Sequence, residues 1–163
     1  MSASPILSGD QAQAIEGWRR AGQTIVFTNG VFDLLHRGHV EYLAEARALG
    51  DRLVVGVNSD ASVRRLGKGP GRPLVSAPDR AAVLAALRAV DLVVVFDDDT
   101  PERLIHELRP TVLAKGGDWA VEAMVGREFV EAHGGRVVSV PLRAGFSTRG
   151  LVERIERGAR EQP

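Results

Sequence analysis

One stretch decides how the chain folds: Thr24-Ile25-Val26-Phe27-Thr28-Asn29-Gly30-Val31-Phe32-Asp33-Leu34-Leu35-His36-Arg37-Gly38-His39. Thr24 to Phe27 is β-branched and aromatic and reads as a short buried strand. Val40 to Leu49 has helical spacing and is closed by Gly50. Between them lies a strand–loop–helix connection with two histidines at the helix start.

The same alternation continues outward in both directions. Ser8 with Gln11 three residues on predicts a capping box for a first helix through Arg20, stopped by Gly22. After the first strand come apolar runs at 52–57, 92–96, 111–114 and 136–140. Helical patterns lie between them. Asn58 or Ser59 caps a short helix through Leu66, and a second runs from Pro78 to Ala89. Thr100 caps a helix opened by Pro101, another covers 121–133, and the last runs from Ser147 or Thr148 to about Arg157. The strands are continuous apolar runs, as burial on both faces of a parallel sheet requires. The expectation is an α/β fold: one doubly wound, five-stranded, Rossmann-like parallel sheet. The chain divides into an N-terminal helix over 1–22, one domain over 23–158 and a tail over 159–163. In such sheets ligands bind at the carboxyl ends of the strands. The loops 28–39, 58–68, 115–119 and 142–148 are therefore the informative ones.

Composition narrows the chemistry. With 163 residues, 44% hydrophobic and 26% charged, the chain is long enough to bury a core. It has no cysteine, which excludes disulfides, thiolate metal sites and a cysteine nucleophile. Basic and acidic residues balance at 21 each, so a general nucleic-acid surface is not expected. No apolar run approaches the roughly 20 residues that span a bilayer. Residues 1–13 are polar and lack a basic-then-apolar leader, so a cytoplasmic location is expected. Of the 21 basic residues only Lys68 and Lys115 are lysines, and both lie beside glycines. A compact ammonium in a loop of little bulk suits a phosphate oxygen.

The loop after the first strand lacks both the Gly-x-Gly-x-x-Gly spacing and the Gly-Lys-Ser/Thr of a P-loop. What it offers is His36 and His39 bracketing Gly38. Gly38 admits close approach to the backbone. The helix start contributes unpaired N–H groups and a positive dipole end, and the imidazoles add directional donors. A helix cap, or a zinc pair with no clear third ligand, are the other readings of these residues. Residues 64–80 hold five cations, Arg64, Arg65, Lys68, Arg72 and Arg80, against one acid, Asp79. Asp97-Asp98-Asp99 reads as a solvated acidic run before a helix start rather than a metal site. His106 and His133 read as surface or packing residues, and Trp18 as packing the first helix on the domain.

Asn29-Gly30-Val31-Phe32-Asp33 followed by His36-x-Gly38-His39 resembles the cytidylyltransferase-like nucleotidyltransferase superfamily. Val57-Asn58-Ser59-Asp60-Ala61-Ser62-Val63-Arg64, Gly69-x-Gly71-Arg72-Pro73, Arg80, Thr100-Pro101-Glu102-Arg103-Leu104-Ile105, Lys115-Gly116-Gly117-Asp118 and Ser147-Thr148 are similar, more narrowly, to the adenylyltransferases of ADP-heptose synthesis. The resemblance covers about 24–155 and implies the stand-alone form, without a kinase half. It implies transfer from ATP to D-glycero-β-D-manno-heptose 1-phosphate, with pyrophosphate released. It implies Mg²⁺ carried mainly by the ATP phosphates, no dedicated protein metal site, and a homo-oligomer.

Residue by residue, the resemblance makes His36, His39 and Lys68 catalytic. It sets Thr28, Asn29, Gly30, Val31, Phe32, Gly38, Lys115, Gly116, Asp118, Ser147 and Thr148 at the nucleotide, and Asp33, Asn58, Arg72 and Arg80 at the sugar phosphate. The family's Ser-Thr-Thr is here Ser147-Thr148-Arg149, and Trp119 stands where tyrosine is more usual. Cytidylyl or guanylyl transfer to another sugar or polyol phosphate, and a non-catalytic nucleotide-binding module, are the alternatives.

Overall fold

The structure, a computed structural model, describes residues 4–117, 120–142 and 145–160. Five parallel strands, β1 (Ile25–Gly30), β2 (Arg52–Asn58), β3 (Leu92–Phe96), β4 (Val112–Gly116) and β5 (Arg136–Val140), form one sheet in the order β3-β2-β1-β4-β5. Helices α1 (Gly9–Arg20), α2 (Arg37–Arg47), α3 (Asp60–Arg65), α4 (Ala77–Ala85), α5 (Glu102–Leu108), α6 (Arg127–Ala132) and α7 (Thr148–Arg160) complete it.

Strand pleating sorts the apolar side chains into two cores. Ile25, Phe27, Val54, Val94, Phe96 and Leu113 meet α1, α5 and α6 through Ile15, Leu104, Ile105, Leu108 and Val130. Val26, Leu53, Val55, Val57, Val112 and Ala114 meet α2 and α4 through Tyr42, Leu43, Ala46 and Leu84. Both faces are covered, which is why the strand sequences are continuously apolar. Strand order reverses between β1 and β4, so their following loops part and leave a crevice at their carboxyl ends.

Element ends depart from the sequence expectation for local reasons. β1 runs on to Gly30, because Thr28 turns inward to share a hydrogen bond with Tyr42 Oη while its backbone pairs with β2. α4 starts one residue early, capped by Ser76, and ends at Ala85. Beyond it the chain tightens into turns that carry Leu87, Ala89 and Val90 into the second core. The expected helix over 121–133 is two pieces, a 3₁₀ turn at Val121–Ala123 and α6. Gly126 separates them at φ 85°, and a Cβ there would stand 2.6 Å from Ile105 Cδ1. Thr100 does not cap α5; Pro101 holds that position. The capping box of Ser8 and Gln11 is present as expected. Trp18 packs against the first core with Arg52 over its ring. No described helix is long and apolar enough to cross a membrane.

Candidate active site

The crevice is built from the ends of β1 and β4, the start of α2, the 67–72 loop and the start of α7. His36 is the residue before α2, with extended backbone. The two imidazoles stack, centroids 3.8 Å apart and 19° from parallel. The His36 N–H points at His39 Nδ1, 3.4 Å away, which leaves Nε2 of His39 as the protonated nitrogen. His36 Nδ1 is buried with no hydrogen-bond partner among the described residues. Burial lowers the pKa of both rings, and the neighbouring His36 lowers His39 further, to about 4. Without ligand both rings are therefore neutral near pH 7. A bound polyphosphate would favour their charged forms.

Phe32 sets the far side of His39. Its backbone is left-handed, φ 50°, a conformation that costs an aromatic residue on the order of 1–3 kcal/mol and recurs at functional sites. Its ring is buried and meets His39 edge-on, centroids 5.3 Å apart. Gly38 is small for a reason. A Cβ there would lie 2.9 Å from Phe146 Cβ and 3.1 Å from His36 Cε1, so any side chain would push α7's leading loop off α2.

The two lysines, 47 positions apart in the chain, converge. Lys115, at the end of β4, donates to Asn29 Oδ1 at the end of β1 (3.3 Å). Its pKa is lowered by burial and then by the charge of Lys68. Lys68 itself is exposed between Gly67 and Gly69. It shares a cavity of about 750 Å³ with His39, Phe32, Arg72, Thr148 and Arg149. A second cavity, about 240 Å³, lies against His36, Gly38, His39, Phe146, Ser147 and Thr148. His39 and Thr148 line both, so the two spaces form one bent cleft around the histidines. Ser147 caps α7, its Oγ accepting from Gly150 N (3.0 Å), and Thr148 Oγ1 donates to Leu34 O (3.4 Å). The positive end of a 13-residue helix thus opens onto the cleft. Arg149 stands at the rim, 90% exposed and paired with Glu153.

Several expected contact residues turn out to be internal. Thr28 is wholly buried under Tyr42, whose hydroxyl is pushed up to about 12 by burial. Asn58 is buried and donates to Ser62 Oγ (3.0 Å). Asp33 has no exposed side-chain surface. It accepts from Leu74 N and Val75 N (both 2.8 Å) and faces Arg72 Nε at 2.5 Å, an ion pair without hydrogen-bond angle. The Arg80 side chain is also fully buried. It donates to Val75 O (2.9 Å), Val31 O (2.6 Å) and Asp60 Oδ1 (2.7 Å). Asn58 and Arg80 thus turn their polar atoms away from the cleft, and Asp33 lines the main cavity with its carboxylate engaged by Arg72, Leu74 N and Val75 N. Their polar atoms fasten the loops that present Lys68 and His39. Arg72 does both, lining the cavity while pairing with Asp33. Asn29, Gly30, Val31 and Gly116 are half-buried at the strand ends, and Asp118 and Trp119 lie outside the described residues.

Other singled-out residues are engaged elsewhere. Asp98 pairs with Arg103, and Asp97 and Asp99 pair with Arg65. His106 and His133 sandwich Phe129, with centroids 4.0 and 4.2 Å from it. Among the described residues no three histidine, aspartate or glutamate side chains are grouped to hold a metal ion. Three contributors were missed from sequence: Tyr42, Asp60 and Phe146. Tyr42 and Phe146 resemble core residues, and Asp60 resembles an ordinary first-turn acid. The signal for Asp60 was indirect, since a buried Arg80 demands a counter-charge.

These features define an α/β domain whose cleft carries an open lysine, a pair of stacked histidines and a helix start. Comparison with known proteins agrees: residues 27–152 match the cytidylyltransferase-like family, and the chain belongs to it. It is 60% identical over 141 residues to the Bifunctional protein HldE of Syntrophotalea carbinolica, covering 86% of this chain and 29% of that protein. It is 57% identical over 144 residues to the Bifunctional protein HldE of Azotobacter vinelandii, covering 88% and 30%. The chain thus spans less than a third of the length of these relatives. A crystal structure of the lipopolysaccharide core biosynthesis protein from Thermoplasma volcanium superposes with a TM-score of 0.62 at 30% identity, covering 75% of this chain and 98% of that one.

Proposed function

We propose that this chain is an adenylyltransferase that joins MgATP and D-glycero-β-D-manno-heptose 1-phosphate, giving ADP-heptose and pyrophosphate for surface-glycan synthesis. The observation that carries the chemistry is the convergence of stacked His36 and His39, Lys68 and the α7 start on one cleft, with Lys115 near enough at the adjoining end of β4 to feel the charge of Lys68. The acceptor is supported by the sequence resemblance and by the high identity to the HldE proteins.

In the proposed reaction a phosphate oxygen of the sugar attacks the α-phosphorus of ATP in line. The bond from that phosphorus to the β-phosphate oxygen breaks, and pyrophosphate leaves with the electron pair. The attacking oxygen is already anionic, so no strong base is needed. Catalysis then consists of positioning and charge stabilisation. His36, His39 and the α7 start suit the phosphates of ATP. Lys68, beside His39 in the cavity, suits the charge that builds on the α-phosphate, and Lys115 with Asn29 suits a phosphate of the nucleotide. Mg²⁺ enters with ATP. Of the acids along the cleft, Asp33 pairs with Arg72 and Glu153 with Arg149, and among the described residues no three carboxylates or histidines are grouped to hold a bare divalent ion.

The test is pyrophosphate release with ATP, CTP and GTP in parallel, using the same sugar phosphate. Turnover with ATP, lost in His36→Ala, is the expected result. Turnover with CTP or GTP in place of ATP would overturn the adenylyl assignment. ATP binding without pyrophosphate would overturn catalysis.

A further inference from the structure

Arg80 is the largest fully buried side chain of the described molecule, and Asp60 is the acid paired with it. A buried guanidinium is expensive unless its donors are satisfied, so what those donors hold is informative. Asp60 Oδ1 accepts from Arg80 and from Ala77 N (2.8 Å), tying the end of β2 to the start of α4. The Arg80 guanidinium then reaches across to the carbonyl of Val31 at 2.6 Å. The next residue is Phe32, whose backbone is held left-handed at φ 50° and whose ring edge meets His39. Strained backbone of this kind persists only where its surroundings over-determine it. The guanidinium on the Val31 carbonyl is such a constraint, applied one peptide before the strained residue.

We propose that Asp60 and Arg80 are positioning residues that fix the direction of His39 through the Val31 carbonyl and the Phe32 ring, and so hold its Nδ1 on the His36 N–H that sets its tautomer. The role in turnover rests on the adenylyltransferase reading; the effect on His39 does not. Neither residue reaches the cleft: the Arg80 side chain is fully buried, and Asp60 is not among the residues lining the cavities around His39. Val75 is held from both sides, its carbonyl by Arg80 and its N–H by Asp33, so the same brace also fixes one end of the loop that carries Lys68.

The experiment uses the full chain without ligand. Nitrogen NMR reads the ring nitrogens of His39, assigned by their loss in His39→Gln. Wild type is expected to show a single tautomer with the proton on Nε2. Arg80→Lys keeps the charge but loses the forked geometry. It is expected to give averaged tautomer signals for His39 with an unchanged far-UV spectrum. With MgATP and heptose 1-phosphate its kcat is expected to fall about tenfold or more, while KM for each substrate moves less than about threefold. Asp60→Asn, which keeps an oxygen but removes the charge, is expected to shift the signals less and in the same direction. It decides the matter if Arg80→Lys does not fold. Wild-type His39 signals in a folded variant of either residue would overturn the proposal. Absence of turnover in wild type would instead strike the adenylyltransferase reading, and the NMR comparison would still stand.

Discussion

Two halves of one basic segment behave in opposite ways. Residues 67–71 carry Lys68 in the open, beside the cleft, with no side-chain bond to the rest of the protein among the described contacts. Residues 72–80 carry Arg72 and Arg80 inward, onto Asp33, Asp60 and two carbonyls. In the sequence Lys68, Arg72 and Arg80 belong to one basic segment, yet only the first half presents its charge freely to a ligand. The difference follows from side-chain chemistry. A guanidinium can satisfy several fixed acceptors at once and so survives burial, whereas an ammonium on a flexible stem suits a phosphate that arrives and leaves.

That contrast breaks most readily at Lys68. Lys68→Met is expected to lower kcat on the order of 10²–10³-fold, as loss of one transition-state charge donor does elsewhere. Stability in urea should move within about 0.5 kcal/mol, as for an exposed side chain. A large loss of stability would mean that Lys68 is structural and the contrast wrong. At Arg80 the reverse is expected. Arg80→Leu takes the guanidinium away from Asp60, Val31 O and Val75 O and should lower stability by about 3 kcal/mol, read from urea unfolding. Unchanged unfolding would show that the buried guanidinium is no brace.

The histidines sharpen the comparison through pH. His39 is held to about 4 in the folded chain, below the ordinary value of 6.5. Between those values the unfolded chain binds the extra proton and the folded chain does not, so stability must fall as pH drops from 6.5 toward 4. Thermal unfolding across that range should show a flatter profile in His39→Gln than in wild type. An equally steep profile in the variant would place the titration elsewhere. The smallest effect is expected far from the cleft. Arg109 ends α5 at φ 48°, a left-handed position that glycine adopts freely. Arg109→Gly should raise stability by about 1 kcal/mol and leave turnover unchanged.

Much of this was legible in the sequence. The apolar runs carried the five strands, because a parallel sheet covered on both faces leaves no polar alternation. His36, Gly38 and His39 stood out because a helix start, a residue without a side chain and two imidazoles share one turn. Gly126 was harder to read, since the helical pattern continues across it and only the Ile105 side chain beneath shows why the helix stops. The roles of Asp33, Asn58 and Arg80 were not legible. A polar residue near a cleft looks the same in sequence whether its hydrogen bonds go to a ligand or to a neighbouring loop. Asp60 was hidden for the same reason: its partner, Arg80, lies twenty positions on, and only the fold brings them to 2.7 Å.

The proposed reaction turns on attack by the sugar phosphate on the α-phosphorus of ATP within this cleft. The most direct measurement is ³¹P NMR of the reaction with heptose 1-phosphate labelled with ¹⁸O throughout its phosphate. ¹⁸O is expected in the oxygen bridging the two phosphorus atoms of ADP-heptose, with unlabelled pyrophosphate. A bridge oxygen without label, or label appearing in pyrophosphate, would contradict that attack.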